Sequence, residues 1–126
     1  RSEGYSLMWP NEWGTRPYES GYGDRVVRID WAPGSVFSPP TSWFHQHFNT
    51  GSEPALQLAL RGGSQKFPLG IRVAAIRAGV YTSVKQGGTL IEYTDEDPEI
   101  RRAYQAELAN KGIEPDMNYA AAANDD

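Results

Sequence analysis

His45 and His47 are the two histidines of the chain, and one residue separates them in a run, Trp43 to Asn49, that reads as a β-strand. Alternate side chains of a strand share a face, so Trp43, His45, His47 and Asn49 are expected on one side, with Phe44, Gln46 and Phe48 on the other. An imidazole near neutral pH serves as a metal ligand, a proton carrier or a hydrogen-bonding group. Cysteine is absent, which excludes disulfides, thiolate catalysis and thiolate metal sites. A metal would therefore take histidine, carboxylate or water. Two histidines at this spacing are also compatible with core or interface packing.

The elements around this strand must aim it. Ala32-Pro33-Gly34-Ser35 pairs proline with glycine, as a type II turn requires. Pro39-Pro40 blocks a helix and holds the preceding residue extended. Asn49-Thr50-Gly51-Ser52 is a turn signal, and the Asn49 amide is placed to tie it down. Ala55 to Arg61 follows as a further strand with Leu56, Leu58 and Leu60 on one face, giving a hairpin with the histidine strand.

The series Gly34, Pro40, Ser42, His45 and Asn49 resembles the second conserved motif of the cupin superfamily, and every spacing fits. Ser42 stands where the family has glycine. The resemblance, which covers residues 4 to 61, implies a mainly β, cupin-type double-stranded β-barrel (jelly roll), incomplete at its N-terminus and followed by a C-terminal α-helix. It implies that His45 faces the lumen as a metal ligand, with His47 as a further candidate. The family's first motif, which carries two more histidines and a glutamate, would lie upstream of Arg1. A rival alignment takes His45 and His47 as the first motif's histidine pair and Glu53 as its acid, at a looser spacing.

The run Pro39-Pro40, Trp43-Phe44-His45, His47, Asn49 is also similar to the metal-bearing segment of gentisate-type ring-cleaving dioxygenases. This implies a metal-dependent cupin, an iron(II) dioxygenase-like oxidoreductase acting on a small organic acid or aromatic substrate. Iron(II) is the expected cofactor, with manganese, nickel, copper or zinc as alternatives. The competing readings are a non-catalytic cupin that binds a small molecule or sugar, and a structural subunit or fragment completed by another chain. His47, Trp43 and Arg28 are the candidate substrate contacts; no catalytic residue is assigned. The expected partners are a small-molecule ligand or substrate and either a second copy or a chain carrying the missing barrel half.

Elsewhere, Tyr5 to Trp9 reads as a strand of weak alternation, closed by Pro10-Asn11-Glu12-Trp13-Gly14. The long loop to Gly23 is expected to pack through its aromatics. Asp24 to Trp31 reads as a half-buried strand with Val27, Ile29 and Trp31 on one face and Arg28 and Asp30 on the other. Ile71 to Gly79 is ambiguous, and Thr89 to Tyr93 is a short β-like run. Near the C-terminus Asp97 is an N-cap, Pro98 opens a helix, and Gly112 stops it. Ile100, Tyr104 and Leu108 form its docking stripe. Residues 1–93 are thus expected as the barrel portion, and 94–126 as a helix with an acidic, alanine-rich tail.

Of the 126 residues, 39% are hydrophobic, and 13 glycines and 9 prolines are spread along the chain, as a strand-and-turn architecture requires. The net charge of −4 and the scattered lysines and arginines argue against a nucleic-acid partner. No run of about 18 apolar residues is present to span a bilayer. The expected location is cytoplasmic, with no membrane partner.

Overall fold

A computed structural model describes residues 3–60 and 81–115. Its centre is a three-stranded antiparallel sheet in the order β2-β1-β3, formed by β1 (Gly4–Pro10), β2 (Val27–Asp30) and β3 (Trp43–Asn49). One α-helix, α1 (Pro98–Asn110), belongs to the same compact unit as the sheet, which comprises Arg1–Leu56 and Tyr93–Asp126. Gln57–Glu92 forms a second unit.

β1 is the central strand, and Tyr5, Ser6, Leu7, Met8 and Trp9 are all buried. A strand covered on both faces has no polar side to alternate with, hence its weak sequence period. Against β3, Tyr5 lies opposite Phe48, Ser6 opposite His47, Leu7 opposite Gln46 and Met8 opposite His45. Against β2, Ser6 lies opposite Ile29 and Leu7 opposite Arg28. A side chain is excluded at Gly4, where a Cβ would stand 2.2 Å from the Phe48 carbonyl oxygen and 2.5 Å from the Trp31 ring. That close approach lets the Trp31 N–H donate to the Gly4 carbonyl at 2.8 Å, extending the ladder by one residue.

The turns lead into β3 as expected. Gly34 has φ +81° and the Ser35 N–H donates to the Ala32 carbonyl, closing the turn. Ser42 has φ +63°, the left-handed conformation that favours glycine. After β3 the Asn49 side chain ties the chain reversal at both ends, accepting from the Gly51 N–H at 3.0 Å and donating to the Glu53 carbonyl at 2.9 Å. In the loop after β1, the buried Trp9 indole donates to the Gly14 carbonyl, and Trp13 stacks on Tyr22 at 4.8 Å.

Helix α1 lies on the face that carries Tyr5, Gln46, Phe48 and Arg28. Asp97 caps it through Oδ1, which accepts from the Glu99 N–H at 2.9 Å, and Pro98 occupies the first turn. The other carboxylate oxygen of Asp97 accepts from the Tyr18 and Glu19 N–H groups at 2.7 and 3.2 Å. Ile100 and Leu108 are buried, each contributing about 1.5–3 kcal/mol of apolar transfer. Tyr104 sits between them on the same stripe, packs on Phe48 and donates its hydroxyl to the Asn49 carbonyl. The Gly112 N–H closes the helix end on the Ala109 carbonyl.

The barrel expectation is overturned. A double-stranded β-barrel requires a sheet closed on itself, and this is a small mixed α/β fold with an open sheet. Among the described residues β2 and β3 each pair only with β1. The expected hairpin goes no further than its turn, because Ala55 to Leu60 has no regular secondary structure. Leu56, Leu58 and Leu60 are consequently 83%, 88% and 89% exposed. The β-like run at Thr89 to Tyr93 reduces to one bridge between Ser83 and Leu90, followed by a 3-10 turn at Tyr93–Asp95. The Ile71 to Gly79 segment, Arg61 and the C-terminal tail from residue 116 lie outside the described residues. Among those described, no helix is long and apolar enough to cross a membrane.

Two substitutions test these local interactions by urea unfolding. Asp97→Ala removes the helix cap and strands two loop donors, so a loss of about 2–4 kcal/mol is expected; an unchanged midpoint would refute the clamp. Ser42→Gly relieves the positive φ and is expected to stabilise by about 0.5–1 kcal/mol, whereas destabilisation would show that the serine side chain is needed there.

Candidate functional site

The sheet presents two chemically different faces because side chains alternate along each strand. On the helix side Arg28 is fully engaged. Its Nε donates to Asp30 at 2.9 Å, its guanidinium forms a two-point contact with Glu107, and it lies 3.8 Å over the Tyr5 ring. The hydrogen bond to Glu107 raises its pKa further and holds it as a cation. Gln46 donates to Glu96 at 3.1 Å, and Glu96 also accepts from Arg101. These contacts attach helix α1 to the sheet.

The opposite face carries both histidines. Trp31 Nε1 donates to Ser6 Oγ at 2.9 Å, and Ser6 Oγ lies 2.7 Å from His47 Nδ1. Ser6 is 0% exposed, whereas His45 and His47 are exposed. Three further rings surround the His47 imidazole: His45 at 5.3 Å, Phe37 at 6.1 Å and Trp31 at 6.3 Å. The register puts Trp43 on this face too, at the opposite end of β3. Of the candidate contacts, His47 and Trp43 therefore share a face with His45, while Arg28 lies on the other side of the sheet.

Partial burial, and secondarily the neighbouring His45, hold the His47 pKa below the ordinary histidine value. The Ser6 hydroxyl is too enclosed to attack a substrate. Its serine–histidine contact is a positioning device, distinct from a nucleophile with its base.

The metal expectation fails here. Among the described residues no group of three or more histidine, cysteine, aspartate or glutamate side chains could hold a metal ion. His45 and His47 are adjacent, but two exposed imidazoles fall short of the three or four protein ligands of a resident metal centre. His45 faces solvent where a closed lumen was expected. Iron(II) and its alternatives manganese, nickel, copper and zinc are withdrawn with the site, and the dioxygenase reading goes with them. The sugar-binding cupin and the half-barrel subunit lose their basis in the open sheet.

Ser6 was not legible as a site residue. Its role depends on pairing with a residue 41 positions away, and nothing in a short strand announces its register. Trp31 reads as part of one face of a half-buried strand, and nothing in the sequence sets Phe37 beside the histidines. No protein-family model matches the chain, and neither does any curated protein or solved structure.

The lowered His47 pKa makes stability depend on pH. The folded state favours the neutral ring, while the unfolded chain takes up a proton near pH 6.5. This contribution is whole above that value, is lost as pH falls below it, and levels off beneath the folded pKa. Urea midpoints measured from pH 8 to pH 5 should decline in the acid limb, and His47→Asn should flatten that decline. An identical slope in the variant would refute the assignment.

Proposed function

We propose that this chain is a binding module that takes a small planar ligand at the exposed histidines, on the sheet face opposite the helix. One observation carries the reading: the imidazole of His47 is held from behind by the buried Ser6 hydroxyl and ringed by Trp31, Phe37 and His45. Small-molecule sites combine apolar, aromatic walls with a few placed polar groups. Aromatic faces stack on planar ligands at ring separations of about 4.5–7 Å, and a fixed imidazole supplies the directional hydrogen bond. Ordering a long flexible side chain costs binding energy, and an imidazole already anchored through Nδ1 loses less.

This function needs neither metal nor nucleophile. Ligand affinity would come from stacking and one hydrogen bond. On the opposite face Arg28 is tied to Glu107 of the helix and Gln46 donates to Glu96 just before it.

Benzoate is a suitable first probe, titrated into the 15N-labelled chain. Saturable shifts of the Trp31 indole N–H and of the His47 ring are expected, with affinity falling at least about tenfold in His47→Ala, the equivalent of one lost hydrogen bond. No saturable change at either group, or equal binding by the variant, would reject the proposal.

A further inference from the structure

We infer that Ser6 sets the tautomer of His47 and thereby restricts the exposed edge of its ring to ligands that accept a hydrogen bond, such as planar carboxylates and carbonyl-bearing rings, in preference to amines. The ligand class rests on the binding role proposed above; the tautomer rests on hydrogen-bond accounting alone.

An indole N–H can only donate, so the 2.9 Å contact from Trp31 makes the Ser6 oxygen an acceptor. The hydroxyl has one proton to place, and His47 Nδ1 lies 2.7 Å away. Were Nδ1 protonated, it and Trp31 would both donate into the same oxygen. Among the described residues the Ser6 proton would then lack an acceptor inside a residue that is 0% exposed, and a buried donor without an acceptor is disfavoured. With Nδ1 bare, each group is satisfied: Trp31 donates to Ser6, Ser6 donates to His47, and the ring proton resides on Nε2.

The polarity of the outward edge follows. Nε2–H is a donor, and a ligand oxygen placed against it completes the chain that starts at Trp31. An amine in that position would set donor against donor. The depression of the His47 pKa by burial and by His45 is consistent with a neutral ring. His45 is the titratable group among the rings packed around it; Ser6, Trp31 and Phe37 do not ionise in this range.

Long-range proton–nitrogen spectra of the full chain, recorded above the histidine titration, read the tautomer directly. His47 should be wholly in the Nε2–H form. Ser6→Ala removes the donor to Nδ1 and should give a mixed population, whereas Trp31→Phe leaves Nδ1 as the acceptor of the Ser6 proton and should keep the Nε2–H form. The Nδ1–H form or a mixed population in the wild type, an unmixed Nε2–H form in folded Ser6→Ala, or a mixed population in folded Trp31→Phe overturns the tautomer assignment. A second arm compares benzoate with benzylamine: benzoate should bind about tenfold more tightly, and the ratio should shrink in Ser6→Ala. Equal affinities overturn the ligand class. Failure of both probes to bind a protein with the Nε2–H tautomer rejects the binding role and leaves the tautomer standing.

Discussion

The pairing of β1 on both of its edges is the constraint from which the rest follows. With β2 on one side and β3 on the other, the side chains of Tyr5 to Trp9 are divided between two buried surfaces. Odd-numbered positions fall on the face of Arg28, Gln46 and Phe48, and even-numbered ones on the face of the histidines. A shift of one residue in the β1–β3 register would send Ser6 to the helix side and leave His47 without its partner. Gly4 helps to fix the register, because its missing side chain admits both the Phe48 carbonyl and the Trp31 ring.

The separation of the two faces is also electrostatic. The helix side collects Arg28, Asp30, Glu96, Arg101 and Glu107, and the Arg28–Glu107 pair fastens β2 to helix α1. The histidine side, as far as its described contacts show, is built from rings and one hydroxyl. An imidazole in such company is kept neutral and oriented, which suits recognition of a ligand by shape and hydrogen bonding better than proton transfer through a charged relay.

Local structure was largely legible in the sequence, because it is written in neighbouring residues. The bend at Gly34, the Asn49-tied reversal and the Asp97–Pro98 helix start depend on contacts within a few positions, and the strand from Trp43 to Asn49 is marked by its own alternation. Even the φ of Ser42 matches a position where glycine was expected. Long-range closure was not legible. A bend that feeds a strand is common to many architectures, and it says nothing about how many strands pair or whether the sheet meets itself. The barrel was inferred from such a segment and fails on that point. The site followed the same division: the shared face of His45 and His47 came from strand alternation, whereas Ser6 and the separation from Arg28 required the register of three strands.

Asp97 draws the loop after β1 and the start of helix α1 onto one carboxylate, which accepts from Tyr18, Glu19 and Glu99 together. Segments that share an acceptor do not fray independently. When the first helical turn opens, the loop amides lose their partner in the same event, so slow exchange of these three amide protons with solvent should be governed by one common opening. A side chain at a helix terminus thus joins residues almost eighty positions apart into a single cooperative unit.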